Sequence, residues 1–394
     1  MLVRHPDGTY RLPALTSAHS HAFQRALRGR AQRPTIPAGP RAGDDFWTWR
    51  GQMYALAASL TPESIHAFSL VAFRELARAG VRTVGEFHYV HHQPDGTPYD
   101  DRTLLADRVI DAARQAGLRI ALLRAAYHRD GPGRPAADRQ RRFCDRDPDD
   151  VLRDVDTLRD RWRHDPDVVI GIAPHSVRAV PPDWLVPLRD YAARHGLPLH
   201  MHVAEQPREI AECLAETRLR PVELLAVRGI LSSRFVAVHA THLAPHEARL
   251  LGETSCFACI CPTTERDLGD GLPDITALRA SGVRLCTGGD SHVVVDPIDD
   301  LRALETHERL RTGTRVTFAP ARGTPAEDLW HAGSLEGAAA CGFRDAGGEI
   351  VLRADHPALA LVEEENVLDA IVFGGSPAVV DRVQPSPAVS PSLD

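Results

Sequence analysis

Eight short apolar runs rich in β-forming residues recur along this chain, separated by longer stretches with helical spacing. That alternation restricts the fold more than any other feature. The runs are Ala14–Ala18, Thr83–Phe87, Ile120–Ala125, Val169–Ala173, Pro198–Val203, Phe235–His239, Phe257–Ile260 and Arg284–Thr287. Between them lie amphipathic stretches such as Pro62–Ala79, Asp101–Ala116 and Pro207–Arg228, with Thr61 and Asp101 as capping candidates. Gly80, Gly117, Gly196 and Gly282 each stand between a helix and the next strand, where a left-handed residue ends a helix. Eight such units predict an α/β fold, a closed parallel (β/α)8 TIM-like barrel. An open doubly wound sheet is the competing architecture, but no G-x-G-x-x-G follows the first strand.

The pattern places the barrel over residues 14–345 and a small β domain, read as a shortened β-sandwich, in residues 1–13 plus 346–383. A helix is expected near Pro325–Cys341, followed by β pieces at Glu349–Arg353, Leu359–Val362 and Ala370–Phe373. Arg129–Asp149, crowded with Arg, Asp, Pro and Gly, reads as a long loop, and the Pro/Ser-rich tail Gln384–Asp394 as disordered.

Composition removes several functions. A net charge of −7 offers no basic surface to nucleic acid or anionic lipid. No apolar run reaches the ~18 residues a membrane span needs, and Met1–Pro13 has no signal-peptide pattern. Seven cysteines, an odd number, argue against a disulfide framework, so a cytoplasmic location is expected. The sequence contains no lysine, which excludes a Schiff base, a P-loop lysine and a metal-bridging carbamylated lysine.

Metal-capable side chains gather just past the strand ends, the face that carries the active site in such barrels. The first strand runs into His19-Ser20-His21, whose alternate residues point the same way and can reach one ion. The fifth ends in His200-Met201-His202-Val203-Ala204-Glu205, the sixth in His239, and the eighth runs into Asp290. H-x-H alone is weak, since most of the 20 histidines must have other roles; the ordered set is the strong signal. It predicts three His ligands and one Asp around a single divalent metal, zinc with iron as the alternative, and His239 as general base. Cys256-x-x-Cys259-x-Cys261 would send its thiols to opposite faces of the seventh strand and reads as buried structural cysteine.

These residues bring a family into view. The chain resembles the metal-dependent amidohydrolase superfamily and, within it, the formimidoylglutamate deiminases of histidine degradation. The resemblance runs from about Pro13 to Arg315 and rests on His19-Ser20-His21-Ala22-Phe23-Gln24, Phe46-Trp47-Thr48-Trp49-Arg50, Glu86-Phe87-His88-Tyr89-Val90-His91-His92, Pro174-His175-Ser176-Val177-Arg178-Ala179-Val180 and Cys261-Pro262-Thr263-Thr264-Glu265. It implies His19, His21, His202 and Asp290 as metal ligands, and His239, Glu205 and Asp290 as the proton-handling groups. It further implies Gln24, Arg50, Tyr89, His175 and Arg178 as substrate contacts, and a homodimer. The implied reaction is hydrolysis of N-formimino-L-glutamate to N-formyl-L-glutamate and ammonia by a metal-activated water. Arg50, in a Trp-flanked loop between the first strand and its helix, and Arg178 would each clamp one carboxylate of this small dicarboxylate.

Two other functions fit the same metal ligands. One is a deaminase acting on another imine or on a guanine- or cytosine-like ring, which would favour stacking aromatics over two arginines. The other is a non-catalytic metal-binding barrel, which would need neither Glu205 nor His239.

Overall fold

The computed structural model describes residues 1–33, 44–318 and 323–386 of the 394. All eight expected runs are strands: β1 (Leu15–Ser20), β2 (Val81–His88), β3 (Arg119–Ala126), β4 (Val168–Pro174), β5 (Leu199–Val203), β6 (Phe235–His239), β7 (Phe257–Ile260) and β8 (Arg284–Thr287). They pair in parallel and in sequence order, so each helix returns the chain to the same end of the barrel. The ladder order stops at β8 and β1. Among the described residues these two ends are joined by a single bridge, Ser20 with Asp290. Gly288 is required at this seam, because a Cβ there would sit 2.7 Å from His19 Cβ and 2.7 Å from its carbonyl oxygen.

The chain ends meet in one antiparallel sheet of Val3–Arg4, Tyr10–Pro13, Gly348–Leu352 and Val380–Pro385, a single layer rather than a sandwich. Leu359–Val362 is not a strand; a 3-10 turn, Pro357–Leu359, ends there. Ala370–Phe373 lies inside a helix, Val367–Gly374. A short apolar run looks the same whether it is a buried helix face or a strand. Gln384 lies in the last strand, and residues 387–394 of the expected tail fall outside the described residues.

Further departures are local. Thr61 caps its helix as expected, accepting from Ser64 N at 3.2 Å. The next helix begins at Leu104 rather than Asp101, which instead accepts from Thr103 N. Pro207–Arg228 is two helices, Pro207–Thr217 and Pro221–Val227, because Pro221 cannot continue the first. Arg129–Asp149 is structured: a short hairpin, Arg129–Gly131 with Arg134–Pro135, then a 3-10 turn over Asp138–Phe143. No described helix is long and apolar enough to cross a membrane.

Arg124 at the end of β3 ties that loop down from beneath. Its Nη2 donates to Asp145 Oδ1 at 2.6 Å and to Asp154 Oδ2 at 2.7 Å, all three side chains being buried. Removing one partner of a buried ion cluster leaves the others uncompensated. Arg124→Met is therefore expected to lower the unfolding free energy by about 3–5 kcal/mol, read from urea unfolding. A loss below about 1 kcal/mol would mean that the cluster is neutral to stability.

Candidate metal centre and active site

The strand ends converge as the spacing predicts. The Nε2 atoms of His21 and His202 are 3.3 Å apart, and those of His202 and His19 also 3.3 Å. Asp290 Oδ1 lies 3.5 Å from His19 Nε2 and 3.6 Å from His21 Nε2. Backbone acceptors fix two of the tautomers: His21 Nδ1 donates to Phe87 O and His202 Nδ1 to His175 O, both at 2.9 Å. Their Nε2 lone pairs therefore face each other, an arrangement that repels unless a cation lies between them. Ligands at ~2.1 Å in tetrahedral array sit about 3.4 Å apart, close to these four separations. Burial depresses all three imidazoles, His21 to about 3, so each is neutral and ready to ligate. Burial raises Asp290, but His19, His21 and His239 outweigh it and hold the carboxyl well below its usual range. The donor set fits a divalent metal ion.

The backbone is bent to aim these groups. Ala204, His239, Ala240, Asp290 and His292 all have positive φ, between 46° and 68°, at the ends of β5, β6 and β8. Non-glycine residues adopt that conformation only where surrounding structure enforces it, and such strain concentrates at functional sites.

His239 Nε2 stands 3.7 Å from Asp290 Oδ2 and 3.8 Å from Glu205 Oε1, and its Nδ1 lies 3.3 Å from Glu265 Oε1. Burial alone would lower its pKa, but the three carboxylates push it up to about 10. Burial raises the Glu205 carboxyl above its ordinary value, with His239 opposing. A cavity opens over these groups. Every sequence-predicted site residue lines it except His19, which is fully buried beneath.

On the cavity wall, Gln24 donates to Tyr89 Oη at 2.9 Å. Arg50 is not on a loop: it lies within a helix, Phe46–Ser59, capped by Asp45. There it stacks on Trp47 at 4.6 Å and reaches Asp130 at 3.4 Å. Arg178 is 4% exposed, yet its guanidinium makes no ion pair or hydrogen bond among the described residues. Sequence reasoning missed Trp49, Tyr54 and Tyr127, which also line the cavity, and the role of Glu265 beside His239. Of the seventh-strand cysteines only Cys261 joins a metal-capable group, with His239 and Glu265, and all three cysteines are buried and free.

The Amidohydrolase family model matches residues 10–383. The chain belongs to this family. It is 36% identical over 378 residues to formimidoylglutamate deiminase of Pseudomonas aeruginosa, covering 92% of this chain and 81% of that protein. It is 28% identical over 279 residues to a 5-methylthioadenosine/S-adenosylhomocysteine deaminase of Nitratidesulfovibrio vulgaris, covering 71% of this chain and 55% of the relative. The crystal structure of an amidohydrolase from Brucella melitensis superposes with a TM-score of 0.86 at 34% identity, covering 94% of this chain and 84% of that one. Family and site together describe a metal-dependent amidohydrolase acting on C–N bonds.

Proposed function

We propose that this amidohydrolase deiminates N-formimino-L-glutamate, adding water across the C=N bond to release ammonia and leave N-formyl-L-glutamate, a step of histidine degradation. The observation that carries the reading is Arg178: a buried guanidinium without a carboxylate partner among the described residues, facing the same cavity as Arg50. A buried cation lacking a counter-ion is costly to keep unless the ligand supplies one. Two arginines on one cavity suit a substrate with two carboxylates. The 36% identity to formimidoylglutamate deiminase supports the same substrate.

In this mechanism His19, His21, His202 and Asp290 would hold a divalent ion, zinc best matching the nitrogen-rich set. Such an ion lowers the pKa of water from about 16 toward about 7. His239 and Asp290, on one side of the site, orient the attacking water and between them take its proton. Glu205, within 4 Å of His239 and with its carboxyl raised above the ordinary value by burial, delivers a proton to the imine nitrogen. Collapse of the tetrahedral adduct breaks the C–N bond: the nitrogen leaves as ammonia with the proton taken from the attacking water, and the adduct's hydroxyl proton returns to Glu205. Arg50 and Arg178 fix the dicarboxylate throughout, and Tyr89, Gln24 and His175 shape the wall beside the formimino group.

A ring deaminase is the competing reading, favoured by the aromatic wall of Trp49, Tyr54, Tyr89 and Tyr127. It gives Arg178 no counter-charge. The test is ammonia release from N-formimino-L-glutamate by zinc-loaded protein, with a chelator-treated control. Metal-dependent ammonia with N-formylglutamate as co-product is expected. No ammonia from folded, metal-replete protein would overturn the substrate assignment.

A further inference from the structure

We propose that His292, Ser20 and Glu86 form a hydrogen-bonded relay that sets the spacing of the metal ligands across the open seam of the barrel, so that metal affinity depends on it. None of the three is a ligand, and none lines the cavity.

The seam is where the ligand set is most exposed to error. His19 and His21 come from β1 and Asp290 from just beyond β8, the two strands that share no ladder. Two backbone hydrogen bonds cross there, His21 N to Asp290 O at 2.8 Å and Asp290 N to His19 O at 3.0 Å. Elsewhere in the barrel, five of the seven ladders have four or more register pairs to fix the relative height of neighbouring strands; β6–β7 has three, and β4–β5 has one plus the bridge of Ser176 with His202. At the seam, side chains add the missing restraint. Ser20, between the two ligating histidines, has its Oγ 2.5 Å from Glu86 Oε2 and 2.7 Å from His292 Nε2. Glu86, on β2, also accepts from Ala22 N at 2.8 Å, just past His21. His292 follows Asp290 by two residues, and its carbonyl accepts from Arg28 Nε at 3.0 Å.

Counting donors gives the relay a direction. Ser20 has one hydroxyl proton, directed at Glu86 Oε2; burial pushes the Glu86 carboxyl up to about 8, and the hydrogen bonds from Ser20 and Ala22 N oppose that rise. His292 must then donate from Nε2 to the Ser20 oxygen, which leaves its Nδ1 as a bare lone pair. That agrees with the structure, where His292 Nδ1 is buried with no hydrogen-bond partner among the described residues. The opposite direction would leave a buried N–H unsatisfied, which costs more than an unused lone pair. With all three residues at most 2% exposed, water does not substitute for either bond from the surface. The relay therefore ties β2, β1 and the segment following β8 together at the height of the metal-ligating side chains. Partners bonded directly to metal ligands typically hold about 10–100-fold of metal affinity; the relay acts on the ligands through the backbone beside them.

The relay rests on the metal site and not on the identity of the substrate, so its test reads metal. Cobalt(II) and zinc affinities are measured by chelator competition for the full-length protein, for Ser20→Ala, and for His292→Phe and His292→Gln. The cobalt absorption spectrum and the thermal midpoint of the metal-free form are recorded alongside. Ser20→Ala and His292→Phe are expected to weaken both metals by about 10–100-fold and to alter the cobalt spectrum. His292→Gln, which keeps a donor near Ser20, is expected to lose only a few-fold. If His292→Phe does not fold, Ser20→Ala decides, since it removes one oxygen and adds no bulk. Unchanged affinity in Ser20→Ala would overturn the relay, as would a fall in the metal-free midpoint with affinity intact.

Discussion

Glu205→Gln is expected to lower turnover by about 10²–10⁴-fold while metal content and fold stay as they are, because the amide keeps the shape of the side chain but cannot carry a proton. The separation of effects follows from position. Glu205 belongs to none of the metal-capable groups, so its exchange removes no ligand. It lies 3.8 Å from His239 Nε2, on the cavity wall, one proton transfer away from the group that meets the water. Its left-handed neighbour Ala204, φ 51°, turns the chain so that His202 and Glu205 both face the site. Burial favours its protonated form, the state an acid needs to protonate a leaving nitrogen. Single-turnover kinetics and metal analysis on the same preparation check this. Unchanged turnover would remove Glu205 from the chemistry, and lost metal would make it a structural support of the ligands.

Much of this site was legible in the sequence because strand ends are short-range objects. His19 and His21 alternate on one strand, and His202, His239 and Asp290 each follow an apolar run that also names their strand. The eight-fold order then brings them together without any knowledge of side-chain packing. What stayed hidden was read with the wrong period or needed contacts distant in sequence. Phe46, Trp49, Arg50, Met53 and Tyr54 line the cavity at helical spacing, but the Trp-flanked segment reads as a loop until its cap, Asp45, is seen accepting from Trp47 and Thr48. A stripe of that kind is also what a core-facing helix shows. Asp130 and Gln140 lie in a segment whose composition indicates loop; Gln140 nonetheless donates to Tyr127 Oη at 2.7 Å and to Asp130 at 3.1 Å, organising the wall behind Arg50. Glu265 stood in a quoted motif, but its place beside His239 depends on β6 and β7 being neighbours. The sheet at the chain ends was legible in location and not in detail, since Ala370–Phe373 has the composition of a strand and the burial of a helix.

Arg178→Met should separate function from stability in the opposite sense to Arg124→Met. Both arginines are buried, and the same replacement is made at each. Arg124 is paired with two buried carboxylates, so its loss orphans them. Arg178 makes no ion pair among the described residues; burial opposes its charge, but Tyr127, Tyr54, Glu209 and Glu205 outweigh it from beyond ion-pair distance and hold the guanidinium above its usual range. Replacing it with an apolar side chain orphans no carboxylate. The unfolding free energy of Arg178→Met is therefore expected to stay within about 1 kcal/mol of the parent or to rise, the usual sign when a functional residue is held at the expense of stability. Its kcat/KM for N-formimino-L-glutamate is expected to fall by about 10²–10⁴-fold, since truncating one partner of a buried charge pair with ligand costs roughly 2–5 kcal/mol. Metal content should not change, because Arg178 lies outside the ligand set. Activity retained within a few-fold would mean that the substrate carboxylate is not bound there. Activity lost together with about 3 kcal/mol of stability would mean that Arg178 is a structural arginine like Arg124, and the argument from its missing partner would fail.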